Sequence, residues 1–473
     1  MSMKTSPFIP ALLTLLLAGC TVGPDYQRPS APMTAQFKEA KGWTQATPQD
    51  AAAKGDWWAV YHDPVLSSLL AQVQISNQNV AQYEAQYRQA QALVAGARAD
   101  FFPTVSGTVS SSRSATGAAS STNGAGINNS HQAQVSASWE LDLWGKLRRQ
   151  LEDDRASAQA SAAELANITL SAQSTLAQDY FQIRIMDQQI ALYQQSVEAY
   201  QRYLTVIENK YRAGSESRAT LAQAQTQLES ARASSLDLQW QRAQLEHAIA
   251  VLMGRPPADF TLAVAKLDAT LPPVPAALPS QLLERRPDIA YAERNMAAAN
   301  AAVGVAIAGY YPDLTLSASG GYSSSTLHKL ISAPNRVWSL GPELSGTLLD
   351  FGATRASVEQ AKASYDASVA AYRQSVLSAF EEVENYLVEL HTLESEIAAQ
   401  RAAAESAGES ARVTYNQYQA GMIDYLDVAT TEATSLTQQQ SLLSLLADQR
   451  MTSVKLIVAL GGGFSAPAAQ GGE

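Results

Sequence analysis

The chain has 473 residues, 46% of them hydrophobic and 16% charged, with 44 acidic against 33 basic side chains and a net charge of −11. Scattered basic residues in an acidic chain argue against nucleic acid as a partner, and a single cysteine excludes a disulfide framework. No Pro-, Gly- or Ser-rich linker divides the chain near its midpoint, so its length reads as two halves of one body rather than separate domains.

Residues 1–19 carry Lys4 and an apolar run over 8–18 that ends in Leu17-Ala18-Gly19-Cys20. The run is too short to span a bilayer. It resembles a bacterial lipoprotein signal peptide, in which the small residues admit a peptidase and Cys20 offers its thiol for thioether lipidation; the alternative is an ordinary secretory signal or a short buried helix. A covalent lipid on Cys20, palmitate included, would anchor the chain by burying CH₂ groups, and no other cofactor is expected. Thr21 rather than Asp follows Cys20, which by resemblance to lipoprotein sorting favours the outer membrane. Residues 20–62 then read as a lipidated, extended tether and equatorial segment.

A first repeat is expected over 63–260. It opens with a helical run from Pro64 to Asp100, followed by strands at about 103–113 and 131–144. Over 132–144 the alternation is unbroken, with Ala133, Val135, Ala137, Trp139, Leu141 and Leu143 opposite Gln132, Gln134, Ser136, Ser138, Glu140 and Asp142. Period two predicts a strand with one apolar face. Residues 147–254 are then expected to form a helical hairpin. Ile183, Ile190, Val197, Leu204 and Tyr211 recur every seventh residue, with Met186, Tyr193, Tyr200 and Ile207 three places after the first four, as in an a/d coiled-coil seam. The long outward run would extend on the order of 100 Å at 1.5 Å per residue.

A second repeat is expected over 261–461, with a helix at 281–309, strands at 313–323 and 336–350, and a hairpin at 354–461; 462–473 reads as a flexible tail. The two repeats are in register. Trp144-Gly145 falls on Phe351-Gly352, Tyr211-Arg-Ala-Gly214 on Tyr418-Gln-Ala-Gly421, and Leu252-Met-Gly254 on Ala459-Leu-Gly461 (352 − 145 = 421 − 214 = 461 − 254 = 207). The second seam is lighter. Its positions are Leu390, Ile397, Ala404, Ala411 and Tyr418, with Leu393, Gln400, Ala407 and Thr414, so it buries less apolar area and is the more easily displaced.

Two hairpins of strands have the length of membrane strands but not the circumference of a barrel, because an open sheet cannot leave its edges unpaired in lipid. Other chains must complete it. Phe101, Phe102, Trp144, Tyr310 and Tyr311 stand at the strand ends, where an aromatic girdle would meet the headgroups. The fold class is therefore mainly α with a shared membrane β-barrel, long antiparallel coiled coils and an internal duplication.

These pieces resemble the TolC-like outer-membrane efflux channel family, and within it the lipoprotein branch of the OprM and NodT kind. The likeness runs from Cys20-Thr-Val-Gly-Pro-Asp-Tyr-Gln-Arg-Pro29 to the glycines at 461–463. It includes Trp57-Trp58 with Asp63-Pro64-Val-Leu66, Arg285-Arg286-Pro287-Asp288 with Ala292-Glu293, and Trp338-Ser-Leu-Gly-Pro342 with Leu349-Asp-Phe-Gly352. The resemblance implies a homotrimer whose strands close one 12-stranded barrel and whose helices form a tunnel across the periplasm. It also implies a periplasmic adaptor (membrane fusion) protein and a proton-driven inner-membrane pump as partners. The expected function is the outer-membrane exit duct of a tripartite efflux system for drugs or other small toxic compounds. A conduit for type I protein secretion or for metal-ion efflux is the alternative, and a purely structural envelope coiled coil would not need the alternating strands.

No catalytic pattern is present. The five histidines are dispersed, and no HExxH, GxSxG or P-loop occurs; the methionines do not cluster as soft-metal ligands do, so no metal site is expected. By position, Leu426 and Asp427 match residues that line the periplasmic aperture of the family, and Tyr418 matches a tyrosine of its inter-helix links. The family's second acid falls on Thr430, and the link loses its basic member at Ile423 and its acidic partner at Thr220. Asp424 or Glu216 would then serve as substitute acids, with the tips at Gly214, Glu216 and Gly421 facing an adaptor. The plainer reading is that Asp424 and Asp427 only complement a helix N-terminus.

Overall fold

The computed structural model describes residues 21–31, 37–38, 56–116, 126–267 and 286–462. The signal segment, Cys20, most of the 20–62 tether and residues 463–473 of the tail lie outside the described residues. The helices are α1 (Pro64–Ser76), α2 (Gln78–Ala99), α3 (Lys146–Arg212), α4 (Arg218–Leu252), α5 (Pro287–Ala308), α6 (Ala353–Gln419) and α7 (Tyr425–Ala459). The strands are β1 (Thr104–Thr116), β2 (Gly126–Leu141), β3 (Asp313–Ser324) and β4 (Arg336–Ser345).

The repeat holds in the backbone to the residue. α3 and α6 each have 67 residues, α4 and α7 each have 35, and every bound of the second pair lies 207 beyond the first (353 − 146 = 425 − 218 = 207). The paired glycines all adopt left-handed φ: 83° and 97° at Gly145 and Gly352, 77° and 72° at Gly214 and Gly421, 67° and 94° at Gly254 and Gly461. A side chain at such a φ is strained, which is why glycine marks the same points twice.

The chain divides into two compact units. The first takes in 1–30, 86–162 and 291–373 and holds the sheet; the second takes in 31–85, 163–290 and 374–473. In the first unit the strands pair antiparallel in the order β1-β2-β3-β4, one continuous sheet rather than two separate hairpins. The strand ends differ from the alternation. β2 stops at Leu141, not 144, because Asp142 turns away to accept the backbone N–H groups of Leu147 and Arg148 at the start of α3 (3.1 and 3.0 Å). β4 stops at Ser345, not 350, because its partner there is Asp313, the first residue of β3, so the ladder has run out although the apolar alternation continues. At the other end β1 and β2 extend to the pair Thr116 with Gly126, through a Ser/Asn-rich stretch that is polar on both faces and so carries no period-two signal.

Residues 21–30 lie as a strap on the same unit. Arg149, buried at the start of α3, binds the carbonyls of Val22 and Gly23 and, at 2.8 Å, the carboxylate of Asp25. Asn300 donates to the Pro24 carbonyl, Tyr26 to Glu293, and Arg28 to Tyr372. A side chain on Gly23 would run into the Gly304 backbone, and one on Gly304 would press on the Arg149 side chain.

In the second unit Leu66, Leu70 and Val73 of α1 pack with Leu176, Tyr180 and Ile183 of α3 and with Ile249 and Met253 at the end of α4. This supplies the neighbour that the long α3 lacks where the shorter α4 ends. The expected single helical run over 64–100 breaks at Asn77. Its side-chain oxygen caps α2 by accepting from Asn79 and Val80, while its amide donates to the Leu252 carbonyl (2.7 Å). Asp187, almost fully buried, accepts from Arg242 (2.6 Å) and from the Ala265 N–H, and Arg184 holds the Ala263 carbonyl, so the segment after α4 is clasped to the hairpin by fully paired charges.

Candidate functional site

Both hairpins turn in Schellman motifs. Gly214 and Ser215 return their N–H groups to the carbonyls of Tyr211 and Lys210, and Gly421 and Met422 return theirs to Tyr418 and Gln417. The following caps differ. Ser217 accepts the Thr220 N–H at 3.1 Å, whereas its counterpart Asp424 occupies the N-cap of α7 with no side-chain capping bond. The carboxylate of Asp424 is therefore exposed and uncommitted at a helix N-terminus, and Asp427 stands exposed in the first turn. Both complement the helix dipole, as the plainer reading expects.

α7 presents two faces here. Leu426 (57% exposed), Asp427 and Thr430 point away from the chain, and Thr430 donates to the Leu426 carbonyl at 2.8 Å. Tyr425, Val428 and Ala429 are buried in a core with Tyr200, Leu204 and Ile207 of α3, Ala224 and Leu228 of α4, and Tyr418 of α6. The two tips are thus joined through the residues adjacent to the exposed trio.

Tyr418 is buried, and its partner is Lys210. The ammonium lies 4.4 Å from the ring centroid, donates to the tyrosine oxygen at 3.2 Å, and stands 3.9 Å from Glu216. Glu216 is held within its own hairpin. Ile423 packs partly into the tip core, and Thr220 pairs with Ser217, so neither carries a polar link between hairpins. A second connection joins Tyr203 of α3 to Glu432 of α7 at 2.9 Å, with the Tyr203 ring against Tyr415 and Tyr425. Burial and the nearby carboxylate push the Tyr203 hydroxyl well above the usual tyrosine range, so it stays a donor. Sequence reasoning missed Lys210, Tyr203, Tyr425 and Glu432. The available signals were a lysine one residue before the repeated Tyr-Arg-Ala-Gly with glutamine as its counterpart, and a tyrosine at the position flanking the seam.

The sheet has two chemically distinct faces. Pairing places Ser106, Ser136, Ser319 and Ser339 in one transverse row, with 2.8 Å hydroxyl contacts at each end, and Glu140, Thr315 and Glu343 in another on the same face. The opposite face carries the row Val105, Ala137, Ala318 and Leu340, then Trp139, Leu316 and Pro342. Trp338 and Leu340 are 77% and 75% exposed. Trp144 stacks on Tyr311 at 4.8 Å at the sheet's end.

The outer membrane efflux protein model matches residues 69–255 and 278–462, once for each repeat. The chain belongs to the outer membrane efflux protein family. It is an outer-membrane efflux channel, a transport protein and not an enzyme, and the TolC-like resemblance holds. It is 31% identical to the antibiotic efflux pump outer membrane protein ArpC of Pseudomonas putida, over 96% of this chain and 95% of the relative. It is 28% identical to the cation efflux system protein CusC of Escherichia coli, over 98% and 100%. A solved structure of the outer-membrane channel OprN superposes with a TM-score of 0.86 at 29% identity, covering 94% of this chain and 99% of that one.

The family motifs have structural employment. Trp57 donates to Gln173 and is buried beside Trp58. Asp63 caps α1 and accepts the Tyr180 hydroxyl. Arg286 binds Asp288 in a fork (3.0 and 2.7 Å), Glu382 at 2.8 Å and the Ala459 carbonyl, tying the start of α5 to α6 and the end of α7. Among the described residues no helix is long and apolar enough to cross a membrane, and no three His, Cys, Asp or Glu side chains group as metal ligands.

Proposed function

We propose that three copies of this chain close a single 12-stranded barrel and a periplasmic tunnel, forming the passive exit duct of a tripartite efflux system. The observation that carries the reading is the four-stranded sheet. β1 and β4 each leave an edge open, and one face exposes Trp338, Leu340 and Leu344 to whatever surrounds it. Open edges and an exposed apolar face are untenable in water and become satisfied when sheets join in a bilayer. The polar face then lines the bore with hydroxyls, a surface that passes small solutes without selecting among them.

Lipidation at Cys20 anchors the chain to the outer membrane, and the strap at 21–30 follows it in the chain. At the periplasmic end Leu426 and Asp427, with Asp424 beside them, form the closing ring. Three aspartates around one axis repel each other, attract cations and are readily spread apart. Lys210 with Tyr418 takes over the polar inter-hairpin link that Ile423 and Thr220 cannot make. The tips at Gly214, Glu216 and Gly421 receive a periplasmic adaptor, which connects the duct to a proton-driven inner-membrane pump. The cargo is drugs or other small organic toxicants, as the likeness to an antibiotic efflux component suggests; the likeness to a cation efflux protein makes metal ions the second reading.

Planar-bilayer recording tests the aperture: the pair Leu426→Ala with Asp427→Ala is expected to raise the closed channel's conductance several-fold, and unchanged conductance removes these residues from the ring. Deletion of the gene alongside its candidate pump, read against drugs, dyes, copper and silver, separates the cargo classes.

A further inference from the structure

Tyr425 is the first residue of α7, immediately before Leu426 and Asp427. Its ring enters the core of the first hairpin and is only 2% exposed, edge-on to Tyr203 and Tyr418 at centroid separations of 6.4 and 6.0 Å. The other two tyrosines of this trio have partners for their hydroxyls, Glu432 for Tyr203 and Lys210 for Tyr418. The hydroxyl of Tyr425 is buried and has none among the described residues.

We propose that Tyr425 is the positioning residue of the aperture, its ring holding the second hairpin's tip in the first and its unpartnered hydroxyl making that grip reversible. The two parts of the side chain act in opposite directions. Edge-to-face aromatic packing and the apolar area of the ring favour the docked tip. A buried hydroxyl without a partner has lost its water and gained nothing in exchange, so it disfavours the docked tip by an amount recovered when the tip withdraws. Because Leu426 and Asp427 are the next two residues, the turn of α7 that carries them moves when the ring leaves its socket.

The first repeat lacks the device. In the first hairpin the position 207 residues earlier is Arg218, exposed at the start of α4, so only the second tip carries this insertion. Neighbouring Val428 and Ala429 are apolar and buried; the polar side chains that act on the hydroxyl are those of Tyr200, Tyr418 and Glu432, and among the described residues none of them bonds it.

The inference rests on the exposed face of α7 being the aperture, and the test separates the two. Spin labels on Ala213→Cys and Met422→Cys, both exposed tip positions, report the distance between the hairpins in the assembled full-length protein. The comparison is made at the urea concentration where half the wild-type pairs have separated. Tyr425→Phe keeps the ring and deletes the orphan, and is expected to shift the ratio of docked to separated tips at least about fivefold toward docked. Tyr425→Ala is expected to shift it the other way. A ratio for Tyr425→Phe that is unchanged, or displaced toward separated tips, overturns the proposal, because the hydroxyl is then neutral or bonded. In planar bilayers Tyr425→Phe should lower and Tyr425→Ala raise the conductance of the closed channel. Distances that shift as expected with no change in conductance would leave the latch standing and remove the aperture reading instead.

Discussion

Tyr200, Leu204 and Ile207 line the seam of the first hairpin, and the residues 207 positions later are Ala407, Ala411 and Thr414. The helices they stand on have the same lengths and end in the same glycine turns. On a shared backbone the unequal knobs fit the proposed aperture, in which the first hairpin stays and the second moves. Near the tip the first buries Tyr200, Leu204 and Ile207 and receives Tyr418 and Tyr425 into its core; the second buries Ala404 and Ala411 there and projects Leu426 and Asp427 outward. The charge pattern follows the same division. Lys210 of the first tip grips the second, whereas its counterpart Gln417 can form no such ionic contact.

The contrast can be broken most severely at Ile207, whose side chain is fully buried. Ile207→Ala is expected to destabilise the tip by about 2–5 kcal/mol through a cavity and lost transfer energy, against under about 1 kcal/mol for the equivalent Thr414→Ala. Hydrogen exchange of the α3 and α7 amides near the tip measures both. Equal losses at the two sites would mean that the hairpins share the load.

A smaller effect concerns Asp179 of α3, which corresponds to Tyr386 in the second copy (386 − 179 = 207). Burial pushes its carboxyl up to about 6. The folded state therefore favours the protonated form more than the unfolded chain does, for which the ordinary value is about 3.9. Charging the group costs stability above about pH 6, and that cost fades as the pH falls from there toward 4. Asp179→Asn is expected to raise stability by about 1 kcal/mol at pH 8, a figure discounted because the group is only part-buried, and to have a diminishing effect toward pH 4. Thermal melts across that range check it, and a pH-independent gain would assign the effect to packing.

The smallest change would sharpen the likeness instead. Asp424→Ser gives the second turn the cap of the first, and is expected to stabilise the start of α7 by up to about 1 kcal/mol. Reduced exchange at the first amides of α7, with Ser217→Ala weakening α4 by a similar amount, is the expected pair of results.

The coiled-coil seams, the alternating strands and the duplication were legible in the sequence because each is a period, and a period survives without knowledge of neighbours. Trp338, Leu340 and Leu344 could be assigned to one face from spacing alone, and they share it. The strand ends could not, since Ser345 stops the ladder only because Asp313 is the first residue of β3. The polar hairpin end around Asn128 and Asn129 was hidden for the opposite reason, both faces there being hydrophilic. At the tip, Leu426, Asp427 and Tyr418 were picked out by position, and the structure puts the first two on an exposed face and the third in the core.

By itself the sequence determined the family, the two repeats in 207-residue register, and the paired glycines that close α3, α4, α6 and α7, because these depend on local chemistry and chain order. Only the tertiary structure decided which side chains close the distance between hairpins. Lys210 meets Tyr418 and Tyr203 meets Glu432 across 208 and 229 residues of chain. Such pairs have no periodicity to betray them. They arise where two helices happen to face each other, and that depends on the packing of the whole hairpin core.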